Sequence, residues 1–344
     1  MSTRIPITVV TGFLGSGKTT LLRHLLTKGK QRLAVMVNEF GSVGLDGDLI
    51  RSCGFCPEEE VEGRLVELNN GCLCCTVQDD FLPTMETLLA RSGNLDGIVI
   101  ETSGLALPRP LLKALDWPAV RVRVHINGVV TLVDGDALSR GSPVGDPSAL
   151  EQQRADDPNI DHLTTVGELF EDQLKAADLV LISRADKLSS EELEQIKAGL
   201  VPQIRVGTPL IPVSHGDVDP PLVLGLKNIS DSQNVGNHKN DHSHVEMISG
   251  TIRLACILDR ASIEAILPDL IVKHQVVRLK GRIWLPGKTF PLQLQMVGSR
   301  ITTWFEAAPE DVWRPDEGGV DLVVIGFKDK AAEAIRSALK KTFV

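Results

Sequence analysis

The sequence predicts an α/β fold in which a doubly wound, mostly parallel sheet is followed by a small C-terminal α+β domain. The first observation behind this prediction is a series of short apolar runs separated by helical stretches in the first 215 residues. Such runs are typical of parallel strands that helices cover on both faces. The predicted strands are residues 7–10, 33–37, 97–100, 129–133, 179–182 and 209–213.

The second observation is a change of pattern after residue 246. Residues 292–296 alternate apolar and glutamine side chains, and Gly298 and Ser299 separate them from another short run at 301–305. This pattern predicts an antiparallel hairpin with one buried face. A final helix is predicted over residues 329–341, where helical spacing puts three apolar side chains on one stripe: Ala331, Ile335 and Leu339.

The length of the chain predicts two domains, because a single core usually stops growing at about 250 to 300 residues. We expect a first domain over residues 1–225 that carries a polar surface insertion at about 139–162. A polar, histidine-containing linker follows at 226–246, and the C-terminal α+β domain occupies 247–344.

The composition disfavours nucleic-acid and membrane partners. The formal net charge is −9, whereas binding to nucleic-acid phosphates needs a concentrated excess of lysine and arginine. No apolar run approaches the roughly 18 residues of a membrane span. The N-terminus enters a strand and a glycine-rich loop almost at once, unlike a signal peptide. We therefore expect a cytoplasmic protein with no nucleic-acid partner and no membrane span.

A phosphate-binding loop is the strongest motif. The segment "GFLGSGKT" fits G-x-x-x-x-G-K-[ST], and it lies between an apolar strand and a helix, as the motif requires. Backbone N–H groups of such a loop converge on phosphates, Lys18 reaches the β- and γ-phosphates, and the Thr19 hydroxyl can bind Mg²⁺. The alternative is a glycine-rich turn that only resembles the motif. The predicted nucleotide ligands are Gly12, Gly15, Ser16, Gly17, Lys18, Thr19 and Thr20.

The segment that follows the strand at 97–100 contains two candidates for the hydrolysis step, in addition to Lys18. Glu101 stands at the strand tip, where a carboxylate can orient water or Mg²⁺, and Gly104 offers an amide to the γ-phosphate. The alternative is a helix cap followed by a turn.

The base is predicted from the segment after the strand at 179–182. Ser183-Arg184-Ala185-Asp186 is similar to the guanine signature N/T-K-x-D, and a carboxylate at Asp186 can accept both guanine N1–H and N2–H. Arginine in place of lysine puts the stacking role of the lysine stem in doubt. Alternatively, Asp186 is a solvated loop carboxylate, because Ser189 and Glu192 already supply a capping box for the next helix. Ser183 and Asp186 are the predicted base ligands.

Three of the six cysteines, Cys72, Cys74 and Cys75, lie within four residues in the segment "NGCLCCT". Disulfides are rare in the cytoplasm, so clustered thiols there more often bind metal or act in catalysis. Thiolates suit Zn²⁺, Co²⁺, Cu⁺ and iron–sulfur clusters. Three of them leave a tetrahedral position open, as a site that releases its metal needs. Buried bystander thiols are the alternative.

Other candidate metal ligands have less specific patterns. Glu39, in a glycine-rich loop after the second strand, is a possible ligand of Mg²⁺ or of a second metal, and equally a solvated residue. The remaining candidates can bind metal or do nothing specific: Cys53 and Cys56 in a C-x-x-C spacing, and His238, His242 and His244 in the linker.

Taken together, "GFLGSGKTT", "VNEFG", "NGCLCC" and "IETSGLALP" resemble the CobW-type P-loop GTPases, metallochaperones of the SIMIBI class, over essentially the whole chain. The segments "QQRADDPNIDH" and "ELFEDQLKAADLV" resemble the cobalamin biosynthesis branch in particular. The resemblance implies a P-loop NTPase fold, GTP and Mg²⁺, and a metal cargo at Cys72, Cys74 and Cys75. It further implies Co²⁺ as the cargo, with Zn²⁺ as the alternative, and a metal-accepting partner that is a cobalt-inserting enzyme of corrin synthesis.

Three functions remain open from the residues alone. The first is a metal carrier gated by GTP hydrolysis, in which the γ-phosphate orders the loop that leads to the cysteines. The second is a metal store or sensor with a regulatory nucleotide site. The third, a small-molecule kinase, leaves the cysteines without a role.

Overall fold

The computed structural model describes residues 4–29, 31–37, 65–67, 81–90, 95–156, 164–225, 247–309 and 312–343. The chain divides into two compact units. The N-terminal unit comprises Ser2–Arg205 and Leu210–Val223, and the C-terminal unit comprises Val206–Pro209 and Leu224–Val344.

A seven-stranded sheet forms the centre of the N-terminal unit as far as it is described, and every strand pairing in it is parallel. In chain order the strands are β1 (Ile5–Thr11), β2 (Leu33–Val37), β3 (Leu65–Glu67), β4 (Gly97–Glu101), β5 (Val124–Asp134), β6 (Leu179–Ser183) and β7 (Leu210–Pro212). Across the sheet the order is β3-β2-β4-β1-β5-β6-β7. All five residues of β4 and all five of β6 are buried, as continuous apolar runs in a covered parallel sheet should be.

Helices connect these strands and pack on the sheet through two apolar clusters. The longer helices of this unit are Lys18–Lys28, Leu82–Ala90, Pro108–Leu115, Pro147–Asp156, Val166–Ala176 and Ser190–Leu200. The shorter ones are Pro118–Arg121, Gly135–Ser139 and Pro220–Leu224, with 3₁₀ turns at Ala185–Lys187 and Val201–Gln203. The predicted α/β class is confirmed, and each of the six predicted strands is present.

The structure adds two features that the sequence pattern did not give. The short strand β3 lies at the edge of the sheet, next to β2. Within the polar segment around residues 139–162, Pro147–Asp156 is helical, and Val144 and Leu150 are buried in an apolar cluster beside the sheet. Two apolar side chains in a polar stretch are enough to attach this segment to the core, since each gains by leaving water.

The C-terminal unit is a five-stranded antiparallel sheet packed against two helices. The strands are β8 (Ile248–Ala255), β9 (Val276–Trp284), β10 (Leu292–Val297), β11 (Arg300–Phe305) and β12 (Gly319–Gly326), in the order β11-β10-β9-β12-β8. The helices are Arg260–His274 and Ala331–Phe343. The predicted hairpin is β10–β11, and the predicted final helix buries Ala331, Ile335 and Leu339. The predicted small α+β domain is therefore confirmed.

None of the described helices combines the length and the apolar character that crossing a membrane requires.

Candidate nucleotide site

The loop between β1 and the helix Lys18–Lys28 has a backbone that only glycine fits. Gly15 and Gly17 have φ angles of +73° and +100°, a region that residues with a Cβ rarely adopt. A Cβ on Gly12 would lie 2.3 Å from the carbonyl oxygen of Leu132 on β5. The glycines of the motif are therefore required by geometry, and the loop has the curvature that lets N–H groups converge on an anion.

Lys18 begins the helix and its ammonium group lies inside the loop. The side chain is only 8% exposed. Nζ donates hydrogen bonds to the carbonyl oxygens of Gly12, at 2.9 Å, and Phe13, at 3.1 Å. Ser16 is 1% exposed, and its Oγ has no hydrogen-bond partner among the described residues. The loop thus holds a buried ammonium and a hydroxyl group, two donors to phosphate oxygens, at the place where the motif predicts that phosphate binds.

A cavity of about 500 Å³ lies against this loop. It brings together the loop, the first turn of its helix and the segments that follow β6 and β7. Its lining residues are Leu14, Gly15, Ser16, Gly17, Lys18, Thr19, Thr20, Leu21, Leu132, Leu181, Ser183, Arg184, Asp186, Lys187, Val213, His215 and Gly216. The predicted phosphate ligands other than Gly12, and both predicted base ligands, therefore line one cavity.

Arg184 joins the predicted base segment to the loop. Its guanidinium donates to the carbonyl oxygen of Gly15 at 3.0 Å and forms an ion pair with the buried carboxylate of Asp134, at the end of β5. Its backbone is left-handed, with φ of +55°. Ser183 donates from its hydroxyl to the carbonyl oxygen of Val133, 3.1 Å away. Arginine here makes two contacts with one planar group, which a lysine ammonium does less well.

Asp186 lies in the 3₁₀ turn after β6, with its carboxylate on the cavity. His215, which follows β7, places Nε2 at 3.8 Å from Oδ2 of Asp186. The capping box predicted from Ser189 and Glu192 is also present, and hydrogen bonds from the backbone N–H and the hydroxyl of Ser189 lower the pKa of Glu192. Because Ser189 and Glu192 cap the next helix, Asp186 has no capping role there.

Glu101 and Gly104 lie beside the loop, although neither is among the described residues that line the cavity. Glu101 ends β4, is 2% exposed and is the register partner of Val10 on β1. A Cβ on Gly104 would lie 2.6 Å from the backbone nitrogen of Leu14. The segment after β4 therefore packs directly on the phosphate-binding loop, where the sequence predicts contact with the γ-phosphate.

Apart from Thr19, which lines the cavity, the predicted metal ligands lie outside the described residues. These are Cys72, Cys74, Cys75 and Glu39, and also Cys53, Cys56, His238, His242 and His244. Within the described part of the chain, no cluster of three or more His, Cys, Asp and Glu side chains is arranged to hold a metal ion.

Three residues near the site were not assigned from the sequence: Asp134, His215 and Gln173. Asp134 ends β5, as Glu101 ends β4, and His215 lies just after β7, so a polar side chain at the carboxyl end of a strand could have identified both. Gln173 lies within a helix and has no local signal. Its side chain is fully buried and donates to carbonyl oxygens after β4.

Two regions of the chain match two known families. Residues 6–211 match the family described as CobW/HypB/UreG, nucleotide-binding domain, and residues 247–343 match the cobalamin synthesis protein cobW C-terminal domain.

Similar proteins extend over nearly the whole length. A protein of Pseudomonas aeruginosa named zinc chaperone CobW is 43% identical, over 98% of this chain and 92% of that protein. A protein of the same name from Sinorhizobium sp is 40% identical over 98% and 96%. The crystal structure of Zn(II)-bound YjiA GTPase from E. coli matches 98% of this chain and 99% of that chain, with 23% identity and a TM-score of 0.42. The family matches and the two zinc chaperone relatives lead to one conclusion: this chain belongs to the CobW family of nucleotide-binding proteins.

Proposed function

We propose that the protein is a GTP-hydrolysing metal chaperone that carries a divalent cation, Zn²⁺ in the first place, on Cys72, Cys74 and Cys75. The observation that carries the nucleotide part is the cavity that joins Lys18 and its loop to Asp186. Its volume of about 500 Å³ falls within the usual range of ligand pockets. A cation at one end and a carboxylate at the other match a phosphate chain and a guanine base.

Each residue has a distinct part in hydrolysis. Lys18 binds the β- and γ-phosphates, and the N–H groups of its loop hold the phosphate chain in place. The Thr19 hydroxyl, a hard oxygen donor on the cavity wall, fits Mg²⁺, which when bound neutralises charge on the phosphates. Glu101 orients the attacking water, and the Gly104 amide meets the γ-phosphate.

The thiolates of the three cysteines define the chemical class of the cargo. Soft ligands of this kind favour zinc, and divalent affinities generally rise from Co²⁺ toward Cu²⁺ and stay high for Zn²⁺. Both close relatives carry the name zinc chaperone, which supports zinc over cobalt. Co²⁺ and a role in cobalamin biosynthesis rest on the sequence resemblance and on the name of the C-terminal family.

The register of the sheet supports coupling between nucleotide and metal. Glu67, Val37 and Glu101 are partners at the carboxyl ends of β3, β2 and β4. Strands lie about 4.8 Å apart, so the Cα atoms of Glu67 and Glu101 are about 10 Å apart. Cys72 follows Glu67 by five residues, a stretch that spans at most about 18 Å. The chain therefore enters the cysteine segment from the edge of the sheet at which the γ-phosphate is expected.

The decisive test is metal affinity in buffered competition, measured for Zn²⁺ and Co²⁺ with Mg·GTP, or a non-hydrolysable analogue, and with Mg·GDP. We expect GTP to raise the affinity for the metal about tenfold relative to GDP. If GTP favours the conformation that binds the metal, linkage requires that the metal favours GTP binding by the same factor. Cys74→Ala should abolish the difference, and Cys256→Ala, at a buried cysteine of the C-terminal unit, should preserve it. Equal affinity in the two nucleotide states would instead indicate a store or sensor.

Nucleotide choice gives an independent prediction. In Asp186→Asn the amide accepts guanine N1–H but can no longer accept N2–H, so GDP affinity should fall about 10- to 100-fold. Xanthine carries a carbonyl oxygen on C2, where guanine has its amino group. The new amide N–H₂ can donate to that oxygen, so affinity for XDP should rise. Titration calorimetry with GDP and with XDP measures both affinities. Glu194→Gln, an exposed position paired with Lys197, removes the same charge and should change neither affinity.

The partner is a protein that accepts the metal. If the competition experiment selects Co²⁺, the acceptor is a cobalt-inserting enzyme of corrin synthesis. If it selects Zn²⁺, the acceptor is a zinc protein. Addition of the true acceptor should accelerate GTP hydrolysis by the metal-loaded chaperone.

A further inference from the structure

The helix Val166–Ala176 is attached to the segment after β4 by one buried side chain. Gln173 is fully buried. Its Nε2 donates to the carbonyl oxygen of Gly104 at 3.1 Å and to that of Ala106 at 3.4 Å. The backbone carbonyl of Gln173 accepts a hydrogen bond from the Thr131 hydroxyl on β5, at 3.1 Å. Gln173 therefore connects the sheet, through its backbone carbonyl, to the segment that carries Gly104, through its side chain.

Two neighbouring residues make the same helix a common support for both loops. The ring of Phe170 stacks on Phe13 of the phosphate-binding loop, with centroids 5.8 Å apart and an interplanar angle of 15°. Asp172 forms an ion pair with Arg109 at 3.4 Å, in the first turn of the helix that follows the Gly104 segment. One helix thus contacts the phosphate-binding loop and both ends of the segment from Gly104 to Arg109.

Packing alone does not account for the amide of Gln173. Its Oε1 is buried and has no hydrogen-bond partner among the described residues. A buried polar atom without a partner destabilises a protein, and an apolar side chain of similar size would avoid that cost. What the apolar side chain cannot do is donate to the carbonyl oxygens of Gly104 and Ala106.

We propose that Gln173 is a positioning residue for GTP hydrolysis. By fixing the carbonyl groups on either side of Leu105, it holds the Gly104 amide in the orientation that meets the γ-phosphate. GDP lacks that phosphate, so this role concerns the triphosphate state alone. The inference rests on the proposed GTPase function and assigns a residue outside the cavity to it.

The test compares Gln173→Met, which keeps the size and removes both donors, with wild type. We expect kcat for GTP hydrolysis to fall about tenfold, because small displacements of reacting groups are costly. Affinity for a non-hydrolysable GTP analogue should fall about threefold relative to GDP, and GDP affinity should stay within twofold.

Leu174→Val is the matched control, at a buried core position of the same helix. It should lower the melting temperature and leave kcat and the ratio of the two affinities unchanged. If Gln173→Met changes only the melting temperature, as the control does, the positioning role is overturned. If the wild-type protein hydrolyses no GTP, the proposed function itself fails, which is a separate result.

Discussion

Replacing Lys18 by alanine is expected to lower the rate of GTP hydrolysis about 1,000-fold, the upper end of the loss seen when one hydrogen-bond donor to a transition state is removed. The structure gives the reason: the ammonium is buried in the loop and has no neighbouring lysine on the loop to replace it. An ammonium at this place neutralises charge that develops on the transferring phosphoryl group, in addition to Mg²⁺. Phosphate release under single-turnover conditions measures the rate of the hydrolysis step separately from nucleotide binding.

Lys28→Ala is the matched control, because Lys28 is exposed in the last turn of the same helix. It should hydrolyse GTP at the wild-type rate. Loss of Lys18 also leaves the carbonyl oxygens of Gly12 and Phe13 without this donor, so melting temperatures should be recorded for both variants. A loss of less than about tenfold in a folded Lys18→Ala protein would contradict the assignment of this cavity as the GTP site.

Gly104→Ala is expected to lower GTP hydrolysis about 100-fold or more. The new Cβ would lie 2.6 Å from the nitrogen and 3.2 Å from the Cα of Leu14. These are backbone atoms of the phosphate-binding loop and cannot rotate aside as a side chain does. Either the loop or the segment after β4 must shift, and a displacement of about 1 Å near the reacting groups costs about 100-fold.

Gly199→Ala is the matched control for Gly104→Ala. Gly199 lies exposed in the helix Ser190–Leu200, and a Cβ there meets nothing within 4 Å. Gly199→Ala should therefore leave hydrolysis unchanged and stabilise the protein by about 0.5–1 kcal/mol, because alanine loses less backbone freedom on folding. Wild-type hydrolysis by Gly104→Ala would show that the segment after β4 takes no part in the reaction.

Much of the site could be predicted because its signals are local. Glycines at Gly15 and Gly17 reflect a backbone that other residues cannot adopt, and Lys18 follows them in the chain. The positions of Glu101 and Asp186 were predicted from the strands that precede them and, for Asp186, from its similarity to the guanine signature. The structure has Glu101 at the end of β4 and Asp186 in the turn after β6, at the same edge of the parallel sheet. Local backbone geometry restricts the residue type, so the position of the phosphate-binding loop could be predicted from one sequence.

Contacts between distant parts of the chain could not be predicted in this way. Gln173 and Gly104 are 69 positions apart, and Arg184 and Gly15 are 169 apart. In neither pair does the separation along the sequence indicate a contact, because each contact depends on which strands become neighbours in the sheet. The same applies to the central pairing of β9 with β12 in the C-terminal unit, which the hairpin pattern of β10 and β11 did not reveal.

The order of strands in the N-terminal sheet has a consequence for how this protein could change. β4, which ends in Glu101, is separated from β6, which precedes Asp186, by β1 and β5. Three strand spacings correspond to about 14 Å, beyond the range of about 7–10 Å within which substitutions usually interfere with one another. With the roles proposed for Asp186 and Glu101, we expect the choice of base and the rate of hydrolysis to be separable traits. A descendant that acquired a preference for another purine would keep its original rate of hydrolysis.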